Sequence, residues 1–189
     1  MVGAWLWSSS GKTGPPTTAP PQADAGLGAT DPLSALPGGA LLLATVDVRA
    51  LRNTALGERL IGRGRRVGGL GLVSDVCGSD PMTGVERLAI AIPASGDAAF
   101  AVTATGTVDS NALLRCASRV IQRRGGQPVA SPMGRFSVLR DASLAEPGAE
   151  LAVAPGGPVL LAQGAYLRTA IDAAEGRLPS VRDSVAHRE

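Results

Sequence analysis

Asp75, Asp80 and Asp97 are the residues of this chain whose type and spacing come closest to an acid–base centre. Asp75 and Asp80 flank Cys77, and Asp97 falls in a loop between two strand-like runs. An enzyme built on them would need two of these carboxylates in one pocket, with the pKa of one raised so that it could carry a proton. Asp80-Pro81 is also an ordinary turn signal. Asp47 and Asp109 stand at strand-to-helix junctions, where a carboxylate satisfies amide donors that the helix leaves unpaired and stabilises it by about 0.5–2 kcal/mol. Helix capping accounts for those two without any substrate.

Other chemistries lack their parts. His187 is the only histidine and is the third residue from the end of the sequence, a poor place for the base of a Ser-His-Asp or Cys-His arrangement. No Gly-x-Ser-x-Gly elbow, Asp-x-Asp or His-x-x-x-His spacing occurs, so neither a catalytic nucleophile nor a metal ligand set is assigned. Ser9-Ser10-Gly11-Lys12-Thr13 resembles the end of a phosphate-binding loop. The glycine that the loop needs five positions before Gly11 is replaced by Leu6, and Pro15 and Pro16 forbid the helix that must follow. No cofactor is expected. Arg59, Arg63, Arg65 and Arg66 form the one basic cluster, but the formal net charge is only +2 and aromatic residues make up 3% of the chain. With no base-stacking residue interleaved, the cluster reads as a solvated helix end and nucleic acid is not an expected partner.

Cys77 and Cys116 are the only cysteines. They are a candidate disulfide if the domain is exported; the competing reading places Cys116 as a small hydrophobe on the apolar face of a helix. Residues 1–7, Met1 to Trp7, are uncharged and apolar, too short to cross a bilayer that takes roughly 20 residues. Trp5 and Trp7 nevertheless suit a membrane interface, so the segment is read as the remnant of an anchor. Residues 8–37 carry six of the 14 prolines and read as a disordered linker. Anchor, linker and cysteine pair together set the expectation of an extracytoplasmic domain, periplasmic or membrane-anchored, in a bacterium.

The elements that would position any site follow from periodicity. With so few aromatics the core must come from Leu, Val, Ile and Ala. Ala40–Val46 is an apolar strand followed by a helix from Val48 to about Ile61, and a short helix is expected over Gly69–Cys77. Strands at Glu86–Pro93 and Ala98–Thr107 alternate large apolar residues, Leu88, Ile90 and Ile92 in the first and Phe100, Val102 and Ala104 in the second. The clearest helix is Ser110–Arg124, with Leu113, Cys116, Ala117, Val120 and Ile121 facing inward, followed by a strand at Arg135–Arg140. Residues 38–141 therefore read β-α-β-β-α-β, a ferredoxin-like unit of the α+β class. Residues 142–189 read as a partial second unit, with strands at Glu150–Val153 and Val159–Ala162 and a helix at Ala165–Ala174. A near-repeat links the two units: Gly38-Gly39-Ala40-Leu41-Leu42-Leu43-Ala44 returns as Gly156-Gly157-Pro158-Val159-Leu160-Leu161-Ala162.

The run from Leu36-Pro37-Gly38-Gly39-Ala40 through an apolar strand to Asp47 resembles the openings of various exported bacterial proteins and implies no particular activity. The composition points to a non-catalytic domain that binds a protein or a small apolar ligand, with the carboxylate enzyme as the alternative.

Overall fold

The computed structural model describes residues 31–60, 70–78, 80, 82–94, 99–146 and 148–184. Seven strands form one antiparallel sheet: β1 (Ala40–Asp47), β2 (Val85–Pro93), β3 (Ala101–Gly106), β4 (Pro128–Met133), β5 (Phe136–Asp141), β6 (Ala149–Val153) and β7 (Val159–Gln163). Among the described residues five α-helices accompany them: α1 (Val48–Arg52), α2 (Ala55–Leu60), α3 (Leu70–Cys77), α4 (Ser110–Arg123) and α5 (Ala165–Ala174).

The strand order is β1-β2-β3-β7-β6-β5-β4. β1, β2 and β3 run as one meander. α4 then carries the chain to the far edge, and β4 to β7 return as a second meander whose last strand pairs with β3. The α+β class holds, but the ferredoxin-like unit does not form. That unit requires its first and third strands to lie side by side and parallel, whereas β1 pairs antiparallel with β2 and occupies the sheet edge. The two units share a sheet through antiparallel pairing of Ala101–Ala104 with Ala162–Val159. In the near-repeat, the first copy is thus an edge strand and the second is the central one.

Local chemistry fixes the element ends. Asp47 accepts from the Ala50 amide at 2.7 Å and Asp109 from the Ala112 amide at 2.9 Å, so both act as N-caps. The single helix expected over Val48–Ile61 is divided instead. The Thr54 hydroxyl donates to the Leu51 carbonyl at 2.7 Å and accepts from the Gly57 amide at 3.0 Å, which ends α1 and starts α2. A side chain at Gly57 would collide with the Leu51 carbonyl, so the close crossing of the two short helices requires glycine there. Gly164, at φ 59°, makes the reversal from β7 into α5.

Part of the expected linker belongs to the fold. Pro32–Ala35 form a 3-10 turn capped by Asp31, and Pro32, Ala35 and Leu36 are buried. Pro37 bridges to Ser180, and the Val181 amide donates to the Leu36 carbonyl at 2.7 Å. The composition-based boundary failed because proline content masks the apolar Pro32, Leu33, Ala35 and Leu36, which pack beside α5. Residues 1–7 and 8–30 lie outside the described residues.

The core sits on one face of the sheet. Ala89, Ala91, Ala101, Phe136, Val138, Ala152, Leu160 and Ala162 meet Leu167, Ala170, Ile171 and Ala174 of α5, closed by Ala35, Leu36 and Val181. A smaller cluster on the other face joins Val48, Val85 and Ala104, with Leu88, Val108 and Val159 around them. α4 packs over β4, β5 and β6 on that second face. α3 is tied to α4 by a disulfide between Cys77 and Cys116, whose Cα atoms lie 5.1 Å apart. Of the inward stripe expected on α4, only Cys116 is fully buried, while Leu113, Ala117, Val120 and Ile121 remain partly exposed.

Candidate functional site: an open apolar face of the sheet

Strand register brings large aliphatic residues into rows on the second face. Ala44 of β1 stands opposite Ile90 of β2, Ile90 opposite Val102 of β3, Val102 opposite Leu161 of β7, and Leu161 opposite Leu151 of β6. Leu139 of β5 continues the row and is buried, in the region that α4 covers. Beside it, Leu42 pairs with Ile92. Leu42 is 49% exposed, Ile92 39% and Leu161 36%, with Ile90, Val102 and Leu151 partly buried. Five strands spaced about 4.8 Å apart make a shelf roughly 20 Å long. No charged residue interrupts these rows from β1 to β6.

Such a surface is costly to leave wet, at roughly 25 cal/mol per Å² of apolar area. Contiguous exposed apolar patches on folded domains commonly mark sites of protein or ligand contact. Apolar residues at consecutive positions of β1, and again along Leu88–Ile92, supply the sequence signal for this shelf: both faces of those strands are apolar. Alternation alone assigns Ile90, Ile92 and Val102 inward. The register turns Ala89, Ala91 and Ala101 to the closed face in their place.

A pocket of about 250 Å³ lies at the end of β1 and β2, lined by Asp31, Leu33, Val46, Asp47, Arg87 and Leu88 among others. Its two acids already have structural work. Asp31 accepts from the Leu33 amide at 3.0 Å and pairs with Arg182 at 3.9 Å, and Asp47 caps α1.

The candidate carboxylates are not gathered into a site among the described residues. Asp75 is exposed on α3, and Asp80 is exposed and accepts from the Met82 amide at 2.9 Å, closing the turn into β2. Asp97 and His187 lie outside the described residues, as do Lys12, Arg63, Arg65 and Arg66; Arg59 lies within α2. Among the described residues no three His, Cys, Asp or Glu side chains come together as a metal site would require, and no helix is long and apolar enough to cross a membrane.

The strongest electrostatic features lie elsewhere and are structural. Asp141 accepts from the Ser143 hydroxyl at 2.6 Å and from the Ser143 and Gln127 amides at 2.9 Å each, which holds its carboxyl below the usual range. Arg177 pairs with Asp172 and Glu175 just beyond α5, raising its own pKa.

No family model, curated protein or solved structure matches this chain.

Proposed function

We propose that the chain is a non-catalytic, exported bacterial domain that binds a protein or a small apolar ligand on the open face of its sheet. The observation that carries this reading is the row Ala44–Ile90–Val102–Leu161–Leu151 with Leu42 and Ile92 beside it, an apolar row in which Leu42, Ile92 and Leu161 are exposed and Ile90, Val102 and Leu151 partly so, while alanines fill the core behind them. Export is supported by the Cys77–Cys116 disulfide, since such bonds persist in oxidising compartments. The apolar Met1–Trp7 segment and the proline-rich residues that follow support tethering near a membrane, with the sheet domain held beyond it.

The test is a titration of the folded protein with the apolar dye 1-anilinonaphthalene-8-sulfonate. The expected result is saturable binding that is lost in Ile92→Asp/Leu161→Asp while far-ultraviolet circular dichroism stays unchanged. Absence of dye binding by the native protein, or equal binding by that variant, would reject the open face as the site.

A further inference from the structure

We propose that β1 is a pairing edge through which two copies of this chain join antiparallel, about a two-fold axis at Ala44. The two edges of the sheet differ in the features that govern strand addition. β4, at one edge, carries Pro128 and Pro132 within six residues, and a proline offers no amide to an incoming strand. β1, at the other, has no proline and no charge from Ala40 to Val46, and its Leu41 is 74% exposed. Apart from a register shift between Ala40 and Leu42, it pairs regularly along its length with β2. Its repeat partner β7 is paired on both sides, whereas among the described residues β1 has a neighbouring strand on one side only.

A second copy fits this edge because the strand is self-complementary. A two-fold axis perpendicular to the sheet keeps each face on its own side, so residues opposed across the axis must belong to the same face. Centred on Ala44, this sets Leu42 against Val46 twice on the open face and Leu43 against Thr45 twice on the closed face. The small Ala44 meets its own copy at the axis. Asp47 falls opposite Leu41, so no like charges are opposed, and each aliphatic cross-strand pair is favourable. The open faces of the two copies then lie on the same side of one continuous sheet. Seven paired residues per copy, Leu41 to Asp47, cover less than the roughly 800 Å² per partner of a stable dimer, which makes this a weak association with Kd on the order of 0.1 mM.

The experiment combines sedimentation equilibrium across a concentration series with oxidative cross-linking of Ala44→Cys, using Ala130→Cys on the proline-bearing edge as the control. With Cys77 and Cys116 bonded to each other, the introduced thiol is the free one. Residues facing each other at such an axis have Cα atoms about 4.5–5.5 Å apart, within disulfide reach. Ala44→Cys should form a covalent dimer at least tenfold faster than Ala130→Cys. The unmodified chain should show a concentration-dependent dimer that Leu42→Lys abolishes without lowering its melting temperature. A chain that stays monomeric to several times that Kd overturns the proposal, as it would if another segment of the same chain covered β1. Equal cross-linking at the two edges, or a dimer indifferent to Leu42→Lys, overturns it as well.

Discussion

The closed face of the sheet is built largely from small residues, Ala89, Ala91, Ala101, Ala152 and Ala162, with Phe136, Val138 and Leu160 between them, whereas the open face carries Leu42, Ile90, Ile92, Val102 and Leu161. Along β2 and β3, side-chain size therefore runs opposite to burial: Ala89, Ala91 and Ala101 are buried, whereas Ile90, Ile92 and Val102 are not fully so. On the closed face, alanines let the Ala170 and Ala174 positions of α5 come close to the strands, and Leu36, Leu167, Ile171 and Val181 fill the remaining volume. On the open face, α4 covers only the β4–β6 end. A face that served only solvation would carry polar side chains at those positions. Isoleucine and leucine at those positions fit the contact surface proposed above.

If the closed face is the core, substitutions there should dominate stability. Phe136→Ala, at 1% exposure, should lower the unfolding free energy by about 3–5 kcal/mol in urea denaturation. A loss below 1 kcal/mol would mean that the two faces are equivalent.

Support for the α4 side of the open face should come next in size. The disulfide closes a loop of 39 residues. Cys77→Ser/Cys116→Ser should cost about 2–4 kcal/mol in the chain-entropy model, read from denaturation of the oxidised protein and the double variant. Reductant should produce the same loss in the native chain and none in the variant.

Truncating the open face should cost less. Ile92→Ala removes a side chain already 39% exposed, so about 1 kcal/mol or less is expected, with dye affinity falling instead. A change of the opposite sign is expected at Thr103, whose buried hydroxyl has no hydrogen-bond partner on the closed face. Thr103→Val keeps the shape and removes an unsatisfied group, so stability should be unchanged or raised by up to about 1–2 kcal/mol in the same assay.

Much of the element order is legible in the residues. The strand beginning at Ala40, the caps Asp47 and Asp109, α4, the β6–β7 hairpin and α5 follow from periodicity and capping chemistry. β4 escapes because Pro128 and Pro132 argue against a strand, although an edge strand tolerates them. The strand order escapes because pairing of β3 with β7 is a long-range event with no local signal. The open face escapes for a related reason. A period of two separates Ile90 from Ala89 but does not say which of them meets a helix, and the larger residue is the natural choice for the interior. Of the residues singled out for chemistry, Asp80 serves a turn, and the shelf residues were legible only as strand formers.

The most direct test uses two consecutive leucines of β7. Leu160 is 1% exposed on the closed face and Leu161 is 36% exposed on the open face. Leu160→Asp places a carboxylate without a partner in the core and should prevent folding or cost more than about 4 kcal/mol, whereas Leu161→Asp should cost about 1 kcal/mol or less. Urea denaturation of the two variants side by side reads both numbers. A wide separation in that order is the expected result; losses of equal size, or the reverse order, would show that the face identified as open is part of the core.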